Sequence, residues 1–161
     1  MHEQLKKEIE SASAWADAVF AEKGEILPMW HAVSAKDEHH IIPNISPDKD
    51  DAASLVRAFC ELMDIKRLLF ISEAWTCATD TAKAAEAMGW LRAGKSLETF
   101  PDRIEVLIFS GEDEYGTVSA HREIIRAKGK KPTLGPLTFF ETTATEGRFV
   151  GMLPRREATA H

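Results

Sequence analysis

Three of the six histidines of this chain, His31, His39 and His40, fall within ten positions of one another in the stretch WHAVSAKDEHHIIP. Imidazoles bind metals and transfer protons near neutral pH. Neighbouring side chains of a strand point to opposite faces, so His39 and His40 cannot share a site unless a bulge intervenes. A two-residue turn at positions 35–36 places His31 opposite His40, and a shift of that turn by one residue separates them.

Two histidines are fewer than a catalytic zinc site needs, because such a site typically uses three protein ligands. The candidates for a third ligand are His121, Glu38 and Glu73, which are distant from the pair or of undetermined facing. No HExxH or other fixed-spacing metal motif occurs. We therefore predict no metal and no cofactor, and histidines that are exposed or hydrogen-bonded on strands.

The stretch TVSAHREII places Ser119 and His121 on one face of a predicted strand. A serine beside a histidine suggests a nucleophile and its base. The same pair also suits the exposed face of a sheet, and the chain has no GxSxG elbow. His121 remains a candidate catalytic residue.

Glu73 is the second candidate catalytic residue, because it continues the apolar row of Leu69 and Ile71 in the strand LLFISEAW. A buried carboxylate must be paired or protonated. Arg103 and Arg122 are the candidate partners. The alternatives are a structural salt bridge and a role in ligand binding or acid–base chemistry.

Arg103 and Glu105 alternate onto one face of the strand PDRIEVL, where they can form a charged row with Glu73. Cross-strand ion pairs of this kind stabilise a sheet by about 0.2–1 kcal/mol each. His31, His40 and Arg103 are the candidate ligand-binding residues.

The composition excludes some classes of function. The formal charge of −6 and pI near 5.5 argue against nucleic-acid binding. The one basic run, RAKGKK at positions 126–131, is interpreted as a hairpin turn. The chain lacks a signal peptide or an apolar run long enough to span a membrane, so we expect a cytoplasmic protein. Cys60 is predicted to be a buried free thiol, and the role of Cys77 stays open.

Helical and strand periodicity predicts the element order α-β-β-α-β-(α)-β-β-β-β. Leu68, Leu69, Phe70 and Ile71 are apolar on both faces of the stretch at positions 66–75, which indicates a central strand. Ser46 and Pro47 are predicted to start the second main helix. Three turn signals, SGEDE, AKGKKP and TATEG, divide the C-terminal part into four antiparallel strands.

The predicted fold class is therefore α+β, in one domain spanning residues 1–154. It has a largely antiparallel sheet of about five to seven strands, two main helices and one short inserted helix. We expect the helices mainly on one face of the sheet. Residues 155–161 are expected to form a frayed polar tail.

Two short motifs follow one another in the chain, SEAW at positions 72–75 and P-x-R-x-E at positions 101–105. Their combination resembles a loose group of small uncharacterised bacterial and phage proteins, in which an S-E-A-W strand precedes a P-x-R-x-E strand. The group has no established activity, so the resemblance implies no catalytic residues.

Two function classes follow from these observations. The leading hypothesis is a non-enzymatic binding or assembly module, with a homodimer formed through a sheet edge. The alternative is a small hydrolase-like or metal-dependent enzyme that uses the region of His31, His40, His121 and Glu73. A nucleic-acid accessory factor acting through the basic run is a third reading.

Overall fold

The computed structural model describes residues 2–44, 46–77, 81–96, 99, 101, 103–140 and 152–153. The elements occur in the predicted order: α1 (Glu3–Lys23), β1 (Met29–Ser34), β2 (His39–Pro43), α2 (Lys49–Leu62), β3 (Ile65–Cys77), α3 (Thr81–Arg92), β4 (Arg103–Asp113), β5 (Gly116–Ile125), β6 (Thr133–Leu134) and β7 (Thr138–Phe140). The predicted α+β class with one short helix between the central strand and the following strand is confirmed. The tail 155–161 lies outside the described residues, and the single domain 1–154 stays a prediction.

The strands form one antiparallel sheet in the order β2-β1-β3-β4-β5-β6, with β7 also paired to β5. Strand β3 lies inside the sheet between β1 and β4, both of which run antiparallel to it. The predicted central strand is therefore confirmed, and β2 forms one edge of the sheet in the part of the chain that the structure describes.

Strand β3 is buried on both faces. Leu69 and Ile71 point to the side covered by α1, called here the α1 face. Leu68 and Phe70 point to the opposite side, the α2 face, where they pack with Val56 of α2. The expectation that the helices gather on one face was wrong, because a strand that is apolar on both sides needs cover on both sides.

Helix α1 lies unusually close to the sheet at Gly111 of β4. A Cβ atom built on Gly111 would come within 2.8 Å of Leu5 Cδ1, and Leu5 itself is fully buried. The absence of a side chain at position 111 therefore allows the close contact between α1 and the sheet.

Arg122 of β5 holds α1 against the sheet. Its guanidinium donates to the carbonyl oxygens of Gly135 (2.6 Å) and Ser13 (3.1 Å) and forms an ion pair with Asp17 (2.9 Å). This side chain is almost completely buried, and its polar atoms are paired, as burial of a charge requires.

Glu112 performs a similar role on the α2 face. Its carboxylate accepts the backbone N–H groups of Met152 (3.0 Å) and Leu153 (3.2 Å). Both residues are buried in the cluster beneath α2. A segment distant in sequence therefore completes the core on this side of the sheet.

Some local predictions differ from the structure. The N-cap of α2 is Asp48, whose carboxylate accepts the N–H groups of the next turn, while Ser46 accepts the N–H of Asp48. Strand β4 continues through the SGEDE signal to Asp113, and its turn lies at residues 114–115. The third predicted run forms both β6 and β7, and the TATEG turn and most of the fourth run lie outside the described residues. Within the described part of the chain, no helix is both long and apolar enough to cross a membrane.

We predict that Gly111→Ala lowers the free energy of unfolding by about 1–3 kcal/mol, because the new methyl group overlaps the buried Leu5 side chain. Urea denaturation followed by circular dichroism measures this change. The control is Gly89→Ala in α3, where no atom lies within 4 Å of the new Cβ, and which should be neutral or stabilising. Equal effects of the two substitutions would contradict the proposed contact.

Candidate functional site

A groove of about 500 Å³ lies on the α1 face, between α1 and the β2 edge of the sheet. Its apolar wall consists of Ala12 and Trp15 from α1 and of Met29, Ile41 and Ile71 from the strands. Trp15 and Ile41 remain exposed, at 43% and 61% of their surface. This volume falls within the range of about 300–1,000 Å³ that is typical of ligand pockets.

His31 and His39 form a hydrogen-bonded pair in this groove. His31 Nε2 and His39 Nδ1 are 2.8 Å apart, and the two rings stack with centroids 5.0 Å apart. In the hairpin, His31 is opposite Ile41, which places His39 diagonally beside it on the same face. The predicted separation of His39 from His40 is confirmed.

The register of the hairpin separates His31 from His40, which is the alternative expected when the turn is not the two-residue turn at positions 35–36. His40 is opposite Ala32 and points to the α2 face, because the hairpin has a longer turn than two residues. The Ser34 hydroxyl accepts the N–H groups of Lys36 and Glu38, and Asp37 adopts a positive φ of 59°. These contacts set the register that pairs His31 with His39.

Three charged side chains from different elements meet beside the histidine pair. Arg67 of β3 donates to the carboxylates of Glu8 in α1 and Asp37 in the hairpin turn. Burial, together with the neighbouring His39 and Arg67, lowers the pKa of His31 below its usual value. The neutral imidazole is therefore favoured in the free groove.

Glu73 lies on the same face of the sheet as the groove, but near the other end of β3. Its Oε1 accepts the N–H of Ile26 at 3.3 Å, and it is only partly buried. Burial raises the pKa of Glu73 above its usual value, against the opposing effect of the Ile26 hydrogen bond, and the nearby Glu105 raises it further. Glu73 therefore retains its proton to a higher pH than a free glutamate.

The predicted partners of Glu73 lie elsewhere. Arg122 is bound to α1 and Gly135, as described above, and Arg103 stacks over the ring of Trp75 at 5.0 Å. The charged row predicted from Arg103 and Glu105 lies on the same face as Glu73. Glu105, however, accepts hydrogen bonds from Arg126 Nε at 2.7 Å and from Arg126 Nη2 at 2.5 Å. These side chains are therefore engaged in contacts within the fold.

The remaining candidates point to the α2 face. The ring of His121 packs against Phe140, and Ser119 beside it is buried. The ring of His40 packs edge-on against Phe59, and its Nε2 has no hydrogen-bond partner among the described residues. His31, His40, His121 and Glu73 therefore do not form one site.

The described residues contain no group of three or more His, Cys, Asp or Glu side chains that could hold a metal ion. Glu38 is exposed in the hairpin turn and belongs to no group of three or more such side chains among the described residues. Cys60 is buried, as predicted, and burial raises the pKa of its thiol to about 11, with a smaller contribution from Glu112. The side chain of Cys77 lies outside the described part of the structure.

Sequence reasoning missed the groove because its wall combines α1 with three strands. Two signals in the chain point to it. Glu8 lies next to the apolar stripe of α1 that includes Leu5 and Ile9, and Arg67 lies on the same face of β3 as Leu69. Two opposite charges, each beside a buried apolar row, indicate that Glu8 and Arg67 form an ion pair. Both residues line the groove.

Comparison with protein-family models, with curated proteins and with solved structures finds no match to the chain. Any function must therefore be inferred from the geometry of the described residues. The resemblance based on the SEAW and P-x-R-x-E motifs stays a prediction.

We predict that Glu73→Gln removes a pH dependence of stability. A carboxyl group whose pKa is raised by folding stabilises the fold at low pH, and this stabilisation is lost as pH rises through its folded pKa. The variant should therefore gain stability relative to the wild-type protein as pH increases from 4 to 7. Urea denaturation at several pH values measures the difference, with Glu10→Gln on the exposed side of α1 as control. A difference that is constant with pH would contradict the shift.

Proposed function

We propose that the protein is a non-enzymatic assembly module, which forms a homodimer by pairing β2 with β2 of a second copy. The observation that carries this proposal is the edge position of β2, which pairs only with β1 among the described strands. An unpaired edge strand is a template for another chain. The following contacts support a second copy as its partner.

The hydrogen bonds at the ends of the hairpin define which backbone groups of β2 point away from β1. Ser34 N–H donates to Glu38 O, and Asn44 N–H donates to Pro28 O. Hydrogen-bonded and non-hydrogen-bonded pairs alternate in an antiparallel ladder. The backbone groups of His39, Ile41 and Pro43 are therefore those that point outward.

These outward groups are self-complementary. A two-fold axis through Ile41 pairs Ile41 with Ile41 of the second copy, which forms two hydrogen bonds between them. The same arrangement directs each His39 N–H to the carbonyl of Pro43 in the other copy. Pro43 has no N–H group, yet every outward N–H of His39 and Ile41 finds an acceptor in this register.

The side chains support the same arrangement. Ile41 is 61% exposed in one copy, and the two-fold axis would bring two such side chains together. A two-fold axis perpendicular to the sheet continues each face into the same face of the partner, so the apolar residue stays on the α1 face in both copies. Burial of Ile41 would then stabilise the dimer.

The distribution of polar residues favours this proposal over an enzyme. His31, His40, His121 and Glu73 are divided between the two faces of the sheet or lie at different ends of one face. A nucleophile and its base need to lie within hydrogen-bonding reach, and these four residues do not combine in that way.

The contacts of the basic run support a module that does not bind nucleic acid. Arg126 is paired with Glu105, and Lys131 donates to the carbonyls of Ala21 and Glu22 at the end of α1. Two of the four positive charges of the run are therefore engaged within the fold. We also propose a cytoplasmic location, with which the free thiol of Cys60 is consistent.

We predict that Ile41→Lys weakens the dimer at least about tenfold, because it places two like charges next to each other at the centre of the interface. Analytical ultracentrifugation across micromolar concentrations measures the change. The matched control is Leu62→Lys, which introduces the same charge at an apolar side chain that is 82% exposed at the end of α2. The control should remain dimeric.

Amide hydrogen exchange tests the edge directly, since the N–H groups of His39 and Ile41 should be protected at high concentration and exposed at low concentration. A wild-type protein that remains monomeric throughout the concentration range would contradict the proposal. A dimer that is unaffected by Ile41→Lys would place the interface elsewhere and would also overturn it.

A further inference from the structure

We propose that the α1 groove binds a small organic carboxylate with an apolar body, and that the His31–His39 pair takes up a proton when this ligand binds. The proposal does not require the dimer, although His39 and Ile41 of β2 line the groove, because it depends on the cavity and its charged groups and not on pairing of the strand edge. It is supported by the composition of the wall, by the pairing of the fixed charges and by the hydrogen bonding of the two imidazoles.

The wall of the groove suits an apolar body of moderate size. The side chains of Trp15 and Ile41 stand at its exposed margin, with Met29 and Ile71 farther inside. A volume of about 500 Å³ leaves room for an aromatic ring or a branched aliphatic chain. Burial of that ligand surface would supply most of the attraction.

The fixed charges in the groove largely cancel. Glu8 and Asp37 both accept from Arg67, and Lys7 of α1 supplies a second positive charge at the groove. Because both carboxylates are already engaged, they are poor partners for a cationic ligand. The formal charge of these four side chains is zero, so the histidine pair determines which charge a ligand can carry.

Protonation of the imidazole pair is favoured by an anion and opposed by a cation. In the neutral pair, one ring donates a proton to the other through the 2.8 Å hydrogen bond between His31 Nε2 and His39 Nδ1. One outer nitrogen then donates and the other accepts. Addition of a proton makes both outer nitrogens donors, and the positive charge is shared across a charge-assisted hydrogen bond. A carboxylate would stabilise this form, whereas a cation would oppose it.

Charged side chains of α1, of the hairpin turn and of β3 influence whether the His31–His39 pair is protonated. Lys7 and Arg67 oppose a positive charge there, and Glu8 and Asp37 favour it. In the free protein, burial and the neighbouring positive charge lower the pKa of His31, so its neutral form is favoured. A bound carboxylate would oppose this effect and raise the pKa of His31, and affinity should therefore fall as pH rises.

The experiment is a titration of the wild-type protein with phenylacetate, followed by two-dimensional ¹H–¹⁵N NMR at pH 6 and pH 8. The neutral isostere phenylacetamide is the matched ligand control, and 4-methylpentanoate tests an aliphatic body. We expect both acids to shift the amide signals of Trp15, Met29 and Ile71. Linked uptake of one proton should weaken acid binding by at least about fivefold between pH 6 and pH 8. Binding of the amide should be insensitive to pH over this range.

Two variants separate the roles of the imidazole pair and the apolar wall. His31→Phe keeps an aromatic ring but removes the nitrogen atoms, so it should abolish the pH dependence and weaken acid binding while leaving amide binding unchanged. Trp15→Ala removes part of the wall and should weaken both ligands. His121→Phe on the opposite face is the control, and it should leave both affinities and the pH dependence as in the wild-type protein.

Several results would overturn the inference. They are the absence of groove shifts with both acids at pH 6, acid affinity that is independent of pH, or an unchanged pH dependence in His31→Phe. Because the groove is assayed in the wild-type protein and in variants away from Ile41, a monomer that binds acids refutes the assembly proposal alone. A dimer that binds none of the acids refutes the groove proposal alone.

Discussion

Strand β3 can be stable only when both of its faces are covered, and this constraint organises the rest of the molecule. Leu68, Leu69 and Ile71 are almost fully buried, and each contributes about 1.5–3 kcal/mol relative to exposure. The three side chains point to both faces, so one helix cannot cover them all. Helix α1 therefore packs on one side and α2 on the other, although the sheet is antiparallel and could in general leave one face in water.

The same constraint determines where polar chemistry can occur. Helix α1 covers the middle of its face, held by the close contact at Gly111 and the buried contacts of Arg122. Polar side chains on this face are left at the two ends, with the histidine pair near β2 and Glu73 at the other end. Strand alternation sends His40 and His121 to the opposite side. Among the described residues, the histidines and Glu73 therefore lie in separate small clusters.

The element order and the central strand could be predicted because they depend on periodicity and on local turn residues. The burial of β3 on both faces was predicted from the apolar run LLFI, but helical cover on both sides was not, since antiparallel sheets commonly leave one face to solvent. The pairing of His31 with His39 depended on a hydroxyl of Ser34 and a positive φ at Asp37, which fixed the length of the turn. Contacts such as Arg67 with Glu8, 59 residues apart in the chain, could not be located before the register of three strands was known.

The hydrogen bonds between the Glu112 carboxylate and the backbone of residues 152–153 have a consequence for biosynthesis. The core cluster beneath α2 contains Met152 and Leu153, so it stays incomplete on the ribosome until those two residues have emerged. Among the described residues, the fully buried members of the opposite cluster under α1 end at Ile124, so this cluster can close earlier. The two sides of one sheet would therefore consolidate at different times during translation, and during that interval the α2 side would be the one that a chaperone could recognise.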